Sequence, residues 1–434
     1  MRFSLKYGMN SVDFEFNEKN VLSVIEPNVI AETNLSDEEV IINALKNPIQ
    51  SKKIEECVKP GQKIAIAIGD KSRLWQKQYL MVKIVVGILN SCGIKDEDIT
   101  IISAKGAHPH QDEKDIIATV GEEIYQRINV IEHDCNDYDN MVYVGTTKRG
   151  TEVIVNKTAY EADYLIILGG VVYHYMAGFG GGRKMILPGL SSKKTINANH
   201  IHGLGKEIGS GSNPEMKNGV MDTNPIAEDM LEAAKFVNPD FLLNVVVNDD
   251  GKITHAFAGD FIEAHRQATE IIKKRDSVTI DELADMVIIS GGGFPKDINL
   301  YQSTKPMVNA SAALKDNGIM ILLHEDRDGI DNPEVELMLK NFDNNVDREI
   351  YLRNNYTIGK NIGFTICEFA SKYNLILVSS IDKKEIEKTD IKLVRSIDEA
   401  IEMAYQIKGT ADIKTIIMPY GSNTFPVLKE KKEC

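Results

Sequence analysis

Cysteines are few in this sequence of 434 residues, and long apolar runs are missing. The five cysteines form no Cys-x-x-Cys pair: Cys57, Cys92, Cys135, Cys367 and Cys434. We therefore expect neither a disulfide framework nor a thiolate metal site, and a reducing cytoplasm fits best. No run reaches about eighteen apolar residues, and no apolar segment of a signal peptide follows Met1. The sequence predicts a cytoplasmic protein without a membrane span.

Positive charge is also in short supply. Fifty Lys and Arg residues face 64 Asp and Glu residues, for a formal net charge of −14. A nucleic-acid or anionic-membrane surface would need a basic patch, so neither partner is expected. An anionic small-molecule substrate must then be captured by local positive groups. The oligomeric state stays open.

The apolar residues that are present follow an α/β pattern. Short β-branched runs alternate with longer amphipathic segments, and the length favours two domains. We predict two Rossmann-like domains with mostly parallel sheets and an active site in the interdomain cleft, the first domain spanning 1–270 and the second 271–434. Predicted strands are Lys63–Ile68, Asp98–Ser103, Tyr164–Leu168, Phe241–Val247, Met286–Ile289, Ile319–Leu323, Leu375–Val378 and Thr415–Met418. Predicted helices are Gln78–Leu89, Glu113–Val120, Ala227–Val237, Phe261–Lys274, Pro306–Leu314, Glu334–Leu339 and Asp398–Ile407.

Polar and glycine-rich loops follow several of these strands. They read Gly-Asp at 69–70, AKGAHPH after Ser103, GGVVYH after Leu168 and GGGFPKD after Ser290. In open parallel sheets, ligands bind at the carboxyl ends of the strands. These loops therefore hold the candidate site residues.

The segment GFGGGRK, from Gly178 to Lys184, looks at first like a phosphate loop. Arg183 stands where a P-loop needs glycine, and Met185 replaces the hydroxyl residue that holds magnesium. The segment also fails the dinucleotide fingerprint. Two interpretations remain: glycines that let a ligand approach the backbone, or a flexible turn.

Four histidines flank these loops. His200 and His202 are two residues apart and so lie on different faces of a helix that Ser191 or Ser192 would cap. A zinc chelate from this pair is not expected, and a metal bound by His200 would take most of its ligands from a non-protein group. His108 and His174, on separate strand-end loops, could serve as opposed acid and base, or be incidental loop residues.

Two polar pairs complete the candidates. Asp70–Arg73 follows a strand and suits ribose or phosphate contacts or the orientation of a histidine. Gln302 and Lys305 lie three residues apart on one helical face and could hold a carboxylate and a hydroxyl of a small substrate.

Together these motifs resemble the nickel-pincer lactate racemase family. The resemblance rests on HYMAGFGGGRKMILPG with the downstream Asn-His at 199–200, on GD-KSR, KGAHPH and DINLYQSTK, and it extends to PYGSNTFP near the end. Leu74-Trp75 stands where the family is proline-rich, and Pro109-His110 replaces Arg-Pro, so the substrate side chain stays open. Trp75 could line the pocket or pack in the core.

The resemblance implies a racemase or epimerase of a small 2-hydroxy acid that works by reversible hydride transfer through a 2-keto acid. It also implies a nickel-pincer nucleotide, made by cofactor-maturation enzymes and attached to Lys184, with His200 as the nickel ligand. His108 and His174 would be the alternating acid and base. Asp70, Lys71, Ser72 and Arg73 would contact the cofactor, and Gln302 and Lys305 the substrate.

Two other function classes fit the sequence less well. A non-catalytic binder or carrier of a nucleotide-like nickel cofactor would need Lys184 but not both His108 and His174. A zinc hydrolase lacks the ligand spacing.

Overall fold

The computed structural model describes residues 1–29, 33–248 and 250–429, which form two compact units. One unit comprises 30–203 and 215–273; we call it the cofactor unit, after the residues that the resemblance assigns to it. The other comprises 1–29, 204–214 and 274–434; we call it the C-terminal unit.

The strands, in chain order, are β1 Arg2–Tyr7, β2 Asn10–Glu15, β3 Val21–Val24, β4 Ile64–Ile68, β5 Ile99–Ser103, β6 Asn129–Glu132, β7 Met141–Thr146, β8 Glu152–Asn156, β9 Tyr164–Gly170, β10 Tyr173–His174, β11 Gly178–Phe179, β12 Phe241–Val247, β13 Ile253–Gly259, β14 Ser277–Ile280, β15 Ala284–Ser290, β16 Leu314–Leu323, β17 Leu375–Val378, β18 Lys392–Val394, β19 Thr415–Met418 and β20 Phe425–Leu428. The helices are α1 Asp37–Lys46, α2 Ile54–Cys57, α3 Gln78–Ser91, α4 Glu113–Val120, α5 Glu122–Arg127, α6 Lys157–Tyr160, α7 Lys193–His200, α8 Pro225–Val237, α9 Glu263–Asp276, α10 Thr304–Ser311, α11 Pro333–Lys340, α12 Asn345–Asn354, α13 Ile358–Lys372 and α14 Ile397–Lys408.

A six-stranded sheet organises each unit. In the cofactor unit its order is β13-β12-β9-β4-β5-β6, and every neighbouring pair is parallel except β12 and β13. In the C-terminal unit the order is β18-β17-β16-β15-β19-β3, and all pairs are parallel. The central strands are mainly apolar and almost entirely buried, as expected for parallel strands covered on both faces. The predicted α/β class with mostly parallel sheets is confirmed.

The two units are not divided by one cut in the sequence. The predicted domain of 1–270 includes 1–29 and 204–214, yet both segments belong to the C-terminal unit. The first joins because β3 adds an edge strand beside β19. The second joins because its backbone is held by acidic side chains: Glu349 accepts the N–H groups of Gly209 and Gly211, each at 3.1 Å.

Most predicted elements lie close to observed ones, and many ends differ by one or two residues. The largest difference is in β16, which was predicted as Ile319–Leu323 and begins at Leu314. The helix predicted as Pro306–Leu314 ends at Ser311, and Leu314 already begins β16. The cores are built as the sequence pattern indicates, with branched aliphatic residues of β4, β5, β9 and β12 packed against α1 and α3. These rigid sheets fix the positions of the loops at their strand ends.

Candidate active site

Three adjacent strands of the cofactor unit carry the predicted acid–base residues. Strands β9, β4 and β5 are neighbours and parallel, so their carboxyl ends share one edge of the sheet. Asp70 follows β4, His108 follows β5 and His174 follows β9. Asp70 and His108 follow their strands directly or within a short loop, as predicted, whereas His174 lies in the two-residue strand β10, shortly after the end of β9.

Asp70 is directly hydrogen-bonded to His108. The buried carboxylate caps the 3-10 helix Lys71–Gln76, accepting the Ser72 N–H at 2.7 Å and the Ser72 hydroxyl, and its other oxygen bonds His108 Nδ1. Burial acts to raise the pKa of Asp70, but His108 and Ser72 outweigh it and lower the pKa to about 2. Because the ionised carboxylate only accepts, His108 carries its proton on Nδ1 and presents the lone pair of Nε2. Of the roles open to Asp70, orienting a histidine is the one its contacts support.

His174 has the opposite arrangement. It ends the two-residue strand β10, and its Nδ1 accepts the backbone N–H groups of Met176 at 3.2 Å and Ala177 at 3.3 Å. A ring nitrogen that accepts has no proton, so neutral His174 carries its proton on Nε2. In their neutral forms, His108 thus has the Nε2 lone pair and His174 has the Nε2–H group.

The loop of His108 also touches the segment that carries Lys184. The N–H of Gly106, a glycine with φ +56°, donates to the Gly189 carbonyl at 3.0 Å, and the Gly189 N–H donates to the Lys184 carbonyl at 3.0 Å. The structure therefore brings these two motifs together.

The glycines before Lys184 are explained by close packing against the protein itself. A methyl group on Gly182 would come within 2.6 Å of the His265 ring, and one on Gly181 within 2.7 Å of Asn244 Oδ1. Asn244 also accepts the Gly182 N–H at 3.0 Å. Sequence reasoning missed Asn244, although an asparagine inside the apolar strand FLLNVVV is a usable signal.

Lys184 lies in the 3-10 helix Gly182–Met185. Burial lowers the pKa of its amine well below the usual range, and the positive charges of Arg73 and Arg183 lower it further. The neutral amine is therefore favoured, and only a neutral amine can be a nucleophile. Arg73 is the member of Asp70–Arg73 whose charge acts on Lys184.

His200 ends α7, whose N-terminus Ser192 caps as predicted by accepting the Thr195 N–H at 3.2 Å. The ring is buried, and its Nδ1 lies 2.9 Å from the Ile196 carbonyl, to which it donates. Burial, together with the charge of Lys184, lowers the pKa of His200 to about 4. Within the described ranges Nε2 has no hydrogen-bond partner, so a neutral imidazole presents a lone pair, the form that binds metals.

His202, the other histidine of this motif, contacts different groups. His202 Nε2 lies 3.4 Å from the Thr151 hydroxyl and 4.0 Å from a carboxylate oxygen of Asp229. In the part of the chain that the structure describes, no group of three His, Cys, Asp or Glu side chains could hold a metal.

Lys71 and Ser72 have partners within the protein. The Lys71 ammonium pairs with Asp115 at 2.6 Å, and its N–H donates to Gln111 Oε1 at 2.7 Å. The Ser72 side chain is engaged with Asp70. Their predicted contacts with a cofactor stay predictions.

Gln302 and Lys305 belong to the C-terminal unit. Gln302 lies in the 3-10 helix Leu300–Ser303 and Lys305 in α10, and Lys305 Nζ donates to Gln302 Oε1 at 3.1 Å. The two residues thus lie in consecutive helices, and their hydrogen bond shows that the side chains are close together. Their predicted contact with the substrate stays a prediction.

Trp75 and His110 stand at positions where the sequence departs from the family pattern, and both lie at the surface. Trp75 is 36% exposed, so it does not pack in the core. A methyl group on Gly170, at the end of β9, would come within 3.0 Å of its ring. The His110 side chain is 83% exposed and pairs with Glu132 at 2.5 Å.

These features define a two-unit α/β protein whose cofactor unit contains two histidines with fixed Nδ1 atoms, a half-buried lysine and a buried histidine. Two family models match it: the lactate racemase N-terminal domain over residues 7–211 and the lactate racemase C-terminal domain over 279–425. The chain is 32% identical to the lactate racemase of Lactiplantibacillus plantarum over 425 residues, which is 96% of this chain and 97% of that one. It is 34% identical to the lactate racemase of Thermoanaerobacterium thermosaccharolyticum over 326 residues, which is 75% of this chain and 74% of that one.

Solved structures agree. The lactate racemase apoprotein of T. thermosaccharolyticum matches with a TM-score of 0.89 at 28% identity, over 99% of this chain and 100% of that one. A protein from Thermotoga maritima shares the fold, with a TM-score of 0.64 at 16% identity over 92% of this chain and 100% of that one. The chain belongs to the lactate racemase family, which confirms the predicted resemblance, and it is an isomerase. No helix among the described residues is long and apolar enough to cross a membrane.

Proposed function

We propose that this enzyme racemises or epimerises a small 2-hydroxy acid, lactate or a close relative, by reversible hydride transfer. The relatives named lactate racemase support the substrate class. The hydrogen bonding of the two histidines carries the proposal, because it fixes the Nδ1 atom of each ring and so directs proton exchange with the substrate to Nε2. A redox route needs both, since the hydroxyl proton must leave on one side and return on the other.

The residues of the cofactor unit fit a nickel-pincer nucleotide. Lys184 offers a neutral amine for covalent attachment, and His200 offers a neutral imidazole whose Nδ1–H is already bonded to a carbonyl. When bound, the nucleotide would accept hydride from the substrate Cα and return it, a reaction that no protein side chain performs. Arg73 is half-buried, its charge acts on Lys184, and it suits the anionic part of such a group. Asp70, Lys71 and Ser72 would complete the contacts with the cofactor.

In this proposal His108 Nε2 would take the substrate hydroxyl proton, and loss of the Cα hydride would leave a planar 2-keto acid. Protonated His174 would supply a proton to the keto oxygen when hydride returns to the opposite face, which would give the other enantiomer. The reverse reaction exchanges the two roles, and Asp70 stabilises His108 when it is protonated. Lys305 and Gln302 would bind the substrate carboxylate and hydroxyl.

We further propose that the protein works in the cytoplasm, where maturation enzymes would supply the cofactor. In the described ranges Cys57, Cys92, Cys135 and Cys367 are free thiols, as a reducing compartment requires.

Intact mass and nickel content test the cofactor assignment. Protein made with the maturation enzymes should carry a covalent adduct and about one nickel per chain, and Lys184→Ala should lose the adduct. Lys194→Ala, which removes an exposed amine on α7, is the matched control and should keep it. A Lys184→Ala protein with the full adduct mass would refute the attachment site.

Chiral analysis of a panel of 2-hydroxy acids tests the reaction. The loaded enzyme should interconvert the enantiomers of at least one member, without net oxidation. If the adduct is present but every panel member keeps its configuration, the substrate class is wrong while the cofactor assignment stands.

A further inference from the structure

The turn that follows His174 is held by a side chain from a distant part of the cofactor unit. Strands β10 and β11 pair as a hairpin, with His174 opposite Gly178, and Tyr175, Met176 and Ala177 connect them. Met176 and Ala177 are buried, so their backbone groups need hydrogen-bond partners within the protein. These partners therefore determine the geometry of the turn.

The peptide group between Met176 and Ala177 joins His174 to Asn224. Its N–H donates to His174 Nδ1 at 3.3 Å, and its carbonyl accepts Asn224 Nδ2 at 2.9 Å. The N–H and C=O of a planar trans peptide point in opposite directions. A rotation that broke the bond to Asn224 would therefore also turn the N–H away from His174. Hydrogen bonding at the carbonyl in addition strengthens the N–H of the same group as a donor.

Asn224 has a second task, which fixes the orientation of its amide. The buried side chain is the N-cap of α8, and its Oδ1 accepts the N–H groups of Ile226 at 3.0 Å and Ala227 at 3.2 Å. Since the helix uses the oxygen, the amide nitrogen is the atom that faces the Met176 carbonyl. An N-cap needs only an acceptor, and Asp or Ser caps a helix about as well as Asn. Helix capping therefore does not explain the donor of Asn224.

The next peptide group of the turn is held as well. The Ala177 carbonyl accepts Arg183 Nη2 at 2.7 Å and the Phe179 N–H at 2.8 Å. Arg183 is the residue at which the segment GFGGGRK departs from the P-loop pattern. The two peptide groups that flank the Cα of Ala177 are thus both fixed, one by Asn224 and the other by Arg183.

We propose that Asn224 is a positioning residue for the reaction. Through the peptide group between Met176 and Ala177, it keeps His174 Nδ1 as a hydrogen-bond acceptor and leaves Nε2 to exchange a proton with the substrate. The catalytic part of this proposal rests on the acid–base role of His174 proposed above. The hydrogen-bond link does not depend on that role, and it can be tested in protein without cofactor.

Asn224→Asp separates the two tasks of the side chain. At neutral pH the carboxylate keeps an acceptor for α8, but it places an oxygen against the Met176 carbonyl in place of the donor. Asn224→Ser, a neutral residue that also caps helices, is the second variant.

Asn332→Asp is the matched control. Asn332 caps α11 in the same way, through the N–H groups of Glu334 at 3.0 Å and Val335 at 3.1 Å, and it is likewise followed by proline. The control therefore makes the same chemical change at the same kind of helix cap, in the C-terminal unit.

Nitrogen-15 NMR of cofactor-free protein with labelled histidine measures the link. The signals of His174 are those that His174→Gln lacks. In the wild type and in Asn332→Asp, neutral His174 should carry its proton on Nε2. In both Asn224 variants the two ring-nitrogen signals of His174 should move towards each other, because the two tautomers mix.

Initial rates of the cofactor-loaded variants measure the consequence for the reaction. Asn224→Asp and Asn224→Ser should lose about tenfold in kcat with less than about twofold change in KM. Asn332→Asp should keep the wild-type values. Melting curves identify the variants that are folded.

The proposal is overturned if neutral His174 carries its proton on Nδ1 in the wild type, a measurement that needs no variant to fold. It is also overturned if a folded Asn224 variant keeps the wild-type His174 signals, or if Asn332→Asp changes them as much. Altered His174 signals with a full rate would leave the hydrogen-bond link standing. That result would refute the catalytic part of the proposal and the acid–base role of His174 on which it rests.

Discussion

Two pairs of histidines in the cofactor unit differ in their surroundings. His108 and His174 form the first pair, and His200 and His265 form the second. The first two reach solvent, and each has its Nδ1 fixed by a defined partner. The other two are buried, and burial lowers their pKa values to about 4 for His200 and about 3 for His265. Orientation sets the proton position of the first pair, whereas desolvation sets the charge of the second.

The difference between His108 and His174 is finer. A carboxylate holds His108, so its orientation depends on one replaceable side chain. Two backbone N–H groups hold His174, so its orientation depends on the fold of the loop around it. At His108, mutagenesis can therefore separate the role of the imidazole from the role of the carboxylate that holds it.

The largest effect is expected from removing either imidazole. His108→Ala and His174→Ala should each lower kcat/KM of the cofactor-loaded enzyme by about 10²- to 10⁴-fold, the usual contribution of general acid–base catalysis. Both directions of the racemisation must lose the same factor, because the equilibrium constant between enantiomers is fixed. Initial rates by chiral chromatography measure the loss.

His110→Ala is the matched control for this prediction. His110 shares the loop of His108 but is exposed and paired with Glu132, so its loss should change kcat/KM less than about twofold. A His108→Ala or His174→Ala enzyme with the full wild-type rate would remove that residue from the acid–base pair.

A smaller loss is expected from Asp70→Asn, which keeps the shape but removes the charge that holds His108. We expect kcat to fall by about 10- to 100-fold with little change in KM, because the substrate contacts stay and only the proton position on His108 is disturbed. Asp70→Glu should recover part of the rate.

Nitrogen-15 NMR of the imidazoles reports which ring nitrogen carries the proton. A purely structural role of Asp70 would leave this proton position on His108 unchanged in Asp70→Asn. In the wild type His108 should be protonated on Nδ1 and neutral His174 on Nε2, and only His108 should change in Asp70→Asn. If the His108 signals are the same in both proteins, Asp70 does not set its proton position.

Several features of this site could be predicted from the sequence because they depend on residues that are close together in the chain. Strand-end loops, the Ser192 cap and the Gln302–Lys305 pair depend on nearby residues, and each lies where the pattern indicates. The family resemblance then supplied the roles, which composition and spacing alone left open.

The contacts between distant segments could not be predicted. Asp70 and His108 are 38 residues apart, and Gly182 and Asn244 are 62 residues apart, so their bonds depend on the order of strands in the sheet. The capture of 1–29 by the C-terminal unit has the same cause, since the short strand β3 finds its partner β19 almost four hundred residues later. Periodicity carries no information on such pairings.

The smallest expected effect is on the pH dependence of stability, and it comes from the buried histidines His200 and His265. His265 donates through Nε2 to the Gly180 carbonyl at 2.8 Å, and burial, with the charge of Arg183, lowers its pKa to about 3. Below about pH 6.5 the unfolded chain takes up a proton at this residue while the folded chain does not. The free energy of unfolding should therefore fall as pH drops from 6.5 towards 3, by up to about 1.4 kcal/mol per pH unit for each such histidine.

Urea unfolding of cofactor-free protein at pH 7, 6 and 5 measures this slope. His265→Gln should be less stable at pH 7, because the packing around Gly182 is disturbed, but its stability should fall less steeply with acid by up to one proton. His110→Gln, an exposed site, should keep the wild-type slope. If His265→Gln and the wild type lose stability in parallel between pH 7 and 5, then His265 is not held neutral by burial, and the contrast drawn between the two pairs of histidines fails at that residue.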